Sequence, residues 1–195
     1  MKTLLKNLSI ILFLAGMHSA HAQSIGAAAP AGEKVIYSVA LDAGSATGNF
    51  NDSHRYSLGG SLQADIPLVK NLYATVNAGY QNFFGRSNIN GTMLSASDLH
   101  LLPVKAGIKV FPFSILYIQG EAGAAFALNK SDLNYEKSAA FIFAPQVGLQ
   151  LPVGGSNNYL DLGFRYENST RFTSNIDRSK LNYVGLRLAY AFSSK

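Results

Sequence analysis

Two short clusters hold the residue types of nucleophilic or acid–base chemistry: Ser53 beside His54, and His100 preceded closely by Ser95, Ser97 and Asp98. A serine hydroxyl next to an imidazole can be activated for attack on an acyl group, and a carboxylate can orient that imidazole. Neither cluster sits in a nucleophile elbow or another spaced motif, and these residue types are common in loops. The remaining histidines, His18 and His21, fall in the first 22 residues, so no metal-ligand spacing is left. The chain has no cysteine, which excludes disulfides, thiolate metal sites, a cysteine nucleophile and a lipid-modified N-terminal cysteine. No cofactor is implied.

A different group of ionic residues is set out more regularly. Asp42, Asp65, Glu121, Asp161 and Glu167 oppose Lys105, Lys109, Arg165 and Arg187 in sign, and each recurs in step with glycine, serine, alanine or glutamine at every second position. Five negative and four positive charges nearly cancel. If that face is buried, such charges must pair, and the set then forms an ionic network that fills and stiffens an interior; the alternative is a narrow polar conduit. A third cluster, Arg171, Arg178 and Lys180, lies in a polar stretch and could meet phosphate groups; solvated loops have the same composition.

The elements that must position these residues follow from pattern. The first residues read as a secretory signal, with Lys2 and Lys6 ahead of an apolar run from Leu8 to Met17 and Ala20-His21-Ala22 as a cleavage site. Residues 1–22 are therefore expected to be removed, leaving Gln23 first, residues 23–33 as a short periplasmic linker and 34–195 as one domain. Without Lys2 and Lys6 the formal charge drops from +5 to +3, which does not point to nucleic acid. Only 14% of residues are charged, well under the roughly 25% of ordinary soluble proteins. The signal's apolar run is about half of the ~20 residues that a helix needs to cross a bilayer, and no other stretch is longer, so any membrane role falls to strands.

From Val35 onward apolar residues alternate with small or polar ones in eight segments, the period of a strand with one apolar face. Short connections at Pro67 to Asn71, Phe111 to Ser114 and Pro152 to Asn158 take turns with long ones at Ser45 to His54, Phe84 to Asp98, Asn129 to Ser138 and Asn168 to Lys180. The triplets Ile66-Pro67-Leu68, Phe111-Pro112-Phe113 and Leu151-Pro152-Val153 mark the short turns, where proline's missing donor is harmless. Four hairpins give an all-β, eight-stranded antiparallel up-and-down barrel.

Alternation alone fits a soluble barrel equally well. Three features favour a membrane-spanning one. The non-apolar face is mainly Gly, Ser, Ala, Gln, Asn and Thr with a few charges, whereas a soluble barrel needs Lys, Glu and Arg outside. Aromatics on the apolar face collect at strand ends, with Tyr56, Tyr80, Phe126, Phe141 and Tyr166 near the long loops and Tyr37, Tyr190 and Phe192 at the opposite rim, as interfacial girdles do. Long loops at one end and tight turns at the other are also usual for such barrels.

Segments such as Leu102-Pro103-Val104-Lys105-Ala106-Gly107-Ile108-Lys109, Ala144-Pro145-Gln146-Val147-Gly148 and Tyr183-Val184-Gly185-Leu186-Arg187 resemble the small porin-like outer-membrane barrels of the OmpA, OmpX and OmpW type. The ending Tyr190-Ala191-Phe192 is similar to the aromatic signal by which those families are inserted by the barrel-assembly machinery; Ser193-Ser194-Lys195 beyond it is a departure. The resemblance implies a protein of the outer membrane of a Gram-negative-type bacterium, in contact with lipid and lipopolysaccharide, with an envelope-stabilising or loop-mediated interaction role. A narrow pore for small solutes is the alternative, and a lipid-modifying enzyme the third. The Arg171, Arg178 and Lys180 cluster is then expected to face lipopolysaccharide phosphates.

Overall fold

A computed structural model describes residues 34–87, 96–130, 136–153, 157–173 and 179–194. The signal 1–22, the linker 23–33, Ser95 and Arg178 lie outside the described residues. Eight strands follow one another: β1 (Ile36–Ala46), β2 (His54–Val69), β3 (Leu72–Gly85), β4 (Leu99–Val110), β5 (Leu116–Ala127), β6 (Ala139–Pro152), β7 (Asn158–Arg171) and β8 (Lys180–Ser193), with a 3-10 helix (Gly48–Asp52) between β1 and β2. Each strand pairs antiparallel with the next, and β1 pairs with β8 to close an eight-stranded barrel. Closure sets Tyr37 against Phe192 and Asp42 against Arg187.

Period-2 alternation fixes which side chains point inward. Leu41 and Leu62, on the apolar face, are 67% and 62% exposed, whereas Lys105 and Glu121 are 2% and 1% exposed. The greasy face is outside and the ionic face is inside, the reverse of a soluble barrel. Such an exterior, far larger than the apolar patches soluble proteins tolerate, suits hydrocarbon. The named aromatics all stand on this outer wall, and the rings of Tyr37 and Phe192 approach within 6.1 Å at the short-turn rim.

Several strands outrun their apolar pattern. The sequence predicts a loop from Ser45 to His54, but the ladder holds to Ala46 and resumes at His54; it predicts another from Asn168 to Lys180, but β7 continues to Arg171. Pro67, expected in a turn, lies within β2 beside a register irregularity, where a missing N–H is tolerated. The tight turn that follows is closed by Asn71 at φ 63°, a left-handed conformation that asparagine accepts more readily than most residues.

Candidate functional site

The lumen is built from inward residues of all eight strands, and the described part falls into three levels. Near the short turns, Lys109 Nζ donates to Asp65 Oδ2 at 2.9 Å and to Asp161 Oδ2 at 3.1 Å. Tyr117 completes this floor. Its hydroxyl donates to Asp161 Oδ1 and accepts from Gln146 Nε2, both at 2.6 Å, and its ring lies 4.1 Å beneath the Lys109 ammonium. The ring fits because β6 and β7 carry glycine there: a Cβ on Gly148 would stand 2.4 Å from the Tyr117 ring, and one on Gly163 2.9 Å from its hydroxyl. Tyr117 was not among the expected site residues, although it lies in phase with Gln119 and Glu121.

Above the floor the remaining charges interlock. Lys105 Nζ donates to Glu167 Oε2 at 2.8 Å and lies 3.5 Å from Glu121. Arg165 places one Nη 3.7 Å from Glu121 and the other 3.7 Å from Asp42, while its Nε donates to Gln146 Oε1 at 2.9 Å. Arg187 donates to Ser61 Oγ at 2.5 Å and to Ser38 Oγ at 3.1 Å, and Ser61 in turn donates to Asp42 at 2.6 Å. Gln63 links the levels, donating to Asp65 at 2.6 Å and accepting from Asn77 at 3.1 Å. All nine ionic residues named from the sequence are thus buried in one lumen and lie within 4 Å of an opposite charge. Removing a charge from water costs several kcal/mol, so each relies on its neighbours.

The third level, under the long loops, changes character. Ala46, Phe50, Phe83, Leu99, Leu101, Ala125, Ala127, Ala140, Ile142, Phe172, Leu181 and Tyr183 form a buried apolar cluster. Phe50 and Phe172, which the sequence places in solvated loops, are therefore inside the barrel mouth. The phase could have shown part of this: Phe83 continues the inward series Thr75, Asn77, Gly79, Gln81, and Leu101 continues Lys105 backwards.

The clusters that suggested catalysis are separated by the wall. His54 is buried in the mouth with its Nδ1 3.1 Å from Ser53 Oγ, whereas His100 faces outward, its Nδ1 2.6 Å from the Tyr80 hydroxyl at the girdle. Burial lowers the His54 pKa to about 4, against upward pulls from a hydrogen bond to the Ser97 backbone and from the charge of Asp98. Asp98 accepts the Gly85 amide at 2.9 Å and thereby anchors the end of β3. Arg171 and Lys180 do come together, but as opposed partners in the β7–β8 ladder rather than in a free loop. On the outer wall they border a cleft of about 340 Å³ whose other sides include Phe141, Phe143, Asn168 and Thr170. Among the described residues no group of acidic, histidine or cysteine side chains could hold a metal ion.

No family model matches the sequence, and no curated protein matches it either. Solved structures do. The outer membrane protein AlkL, determined in DMPC bilayers, aligns over 83% of this chain and 90% of its own with a TM-score of 0.50 and 17% identity. This chain has the fold of an outer-membrane β-barrel. Ail of Yersinia pestis in a phospholipid nanodisc (TM-score 0.49, 18% identity, 82% of this chain and 100% of that one) and OprG of Pseudomonas aeruginosa (0.48, 9%, 83% and 96%) also align.

Proposed function

We propose that the protein is an integral outer-membrane barrel whose task is structural or adhesive: a rigid, filled pillar that holds its long loops above the outer leaflet. The observation behind this is the occupied lumen, in which nine buried charges are paired below an apolar cap. Eight strands enclose barely enough room for side chains, and here the room is taken. Planar-bilayer recordings on the refolded mature chain test the point. A silent barrel fits a support, whereas steady conductance with small-ion selectivity would move the protein to the pore alternative.

For partners, the outer cleft between Phe141, Phe143, Arg171 and Lys180 suits a lipid whose acyl chains lie on the aromatics and whose phosphate meets the cations, the arrangement lipopolysaccharide would supply. Replacing Arg171, Arg178 and Lys180 together by alanine should weaken retention of lipopolysaccharide in mixed vesicles; unchanged retention would remove this partner. Tyr190 and Phe192 on β8 are proposed as the handle for the assembly machinery.

A further inference from the structure

The segment after β1 turns inward instead of leaving the barrel. Thr47 N donates to Asn182 O at 2.8 Å, Gly48 takes φ 58°, and the 3-10 helix lowers Phe50 into the mouth until its exposure is 0%. There the Phe50 ring meets Phe83 edge-on at 5.3 Å and stacks on His54 at 4.6 Å and 15°. The segment after β3 clamps it from above: Arg86 N donates to Ser53 O at 2.8 Å and Arg86 Nη2 to Asn51 Oδ1 at 3.0 Å. His54 lies beyond the Tyr56 girdle and so outside the membrane-spanning part. Its ring is buried between plug and wall, where its Nε2 makes no short hydrogen bond and the Ser97 backbone offers an acceptor.

That position suits an uncharged ring. A second proton on His54 would bury a cation against Phe50, and the Ser97 backbone and Asp98, which favour it, offset only part of that burial cost. The charged groups around it are few. Asp98, at the entrance to β4, is committed to Gly85 N and Asn82 Nδ2. Arg86 sits on the clamp and would repel, Arg55 points away over the Tyr56 ring at 5.1 Å, and Asp52 belongs to the plug itself.

We propose that the 3-10 segment is an acid-released plug: neutral His54 seats Phe50 in the mouth, and a proton taken up by His54 expels both, opening the extracellular end of the lumen.

The direction follows from linkage. Seated, His54 titrates at about 4; released into water it returns to the ordinary 6.5. The proton therefore binds the released form more tightly, and the seated-to-released ratio falls as pH drops below about 6.5, by at most about tenfold per pH unit, until it levels near pH 4.

The chain has no tryptophan, so Phe50→Trp provides a single reporter in the vesicle-inserted barrel. Its emission should be that of a shielded indole at about pH 7.5 and shift reversibly to the red by about pH 4.5, with acrylamide quenching rising about threefold or more. In a His54→Phe background, which keeps the stack and cannot take up a proton, emission should stay constant. No shift in either protein, or an equal shift in both, overturns the proposal. If the indole is already exposed at neutral pH, amide exchange in the otherwise unchanged barrel decides: the Thr47 and Arg86 amides must lose protection in acid, after correction for intrinsic rates, and must keep it when His54 is Phe. Loss in both proteins, or in neither, overturns the proposal as well.

Discussion

Lys109 and Asp161 face each other across the barrel floor at 3.1 Å, although β4 and β7 are not neighbours in the ladder. With Asp65 on β2, 2.9 Å from the same ammonium, they tie three strands that share no backbone hydrogen bonds with one another. Their energetic sign is unusual, because the pairing offsets a burial cost that would otherwise unfold the floor.

Lys109→Met should therefore destabilise the barrel by about 3–5 kcal/mol, since two carboxylates would remain buried without their cation. Urea unfolding of vesicle-inserted protein measures this. Changing Asp65 and Asp161 to Asn in the same chain should recover much of the loss, because no uncompensated charge is then left.

Tyr117 and Gly148 form a second coupled pair. Gly148→Val pushes a side chain into the Tyr117 ring and should cost about 1–3 kcal/mol, as overpacking does elsewhere. In a Tyr117→Ala background the same change should cost markedly less. A double-mutant cycle on unfolding midpoints reads the coupling; additive effects would mean that the ring yields freely.

Orientation can be tested one side chain at a time. Leu62→Arg, in the middle of the outer wall, should cost about 2–4 kcal/mol in lipid. Asn49→Arg, exposed on the mouth segment, should stay within about 0.5 kcal/mol. Equal effects at the two positions would contradict a lipid-facing Leu62.

Export can be followed by mass. The protein recovered from the envelope should begin at Gln23, and Ala22→Arg should leave the uncleaved chain to accumulate. Intact-mass spectrometry on membrane fractions distinguishes the two.

Strand alternation made the barrel and its inward charges legible, because Lys105, Lys109, Arg165 and Arg187 each fall in phase with glycines that no soluble exterior requires. The apolar cap was harder to see. Phe83, Leu101 and Ile142 occupy the inward phase but are greasy, so a rule that equates polar with inward stops one turn too early. Phe50 left no periodic trace: its burial depends on a left-handed Gly48 and on Arg86, 36 positions away, which only the closed topology brings near. Tyr117 needed the same help, since its cradle is made by glycines on two other strands.

Because β1 bonds to both β2 and β8, none of the eight described strands is a free edge with a bare row of amides and carbonyls to offer another molecule. Strand-by-strand recruitment, whether of a peptide guest or of a further copy in a growing fibril, finds no open edge among these described strands. Whatever clusters these barrels form in the plane of the bilayer must be cemented by side chains and by the lipids trapped between them.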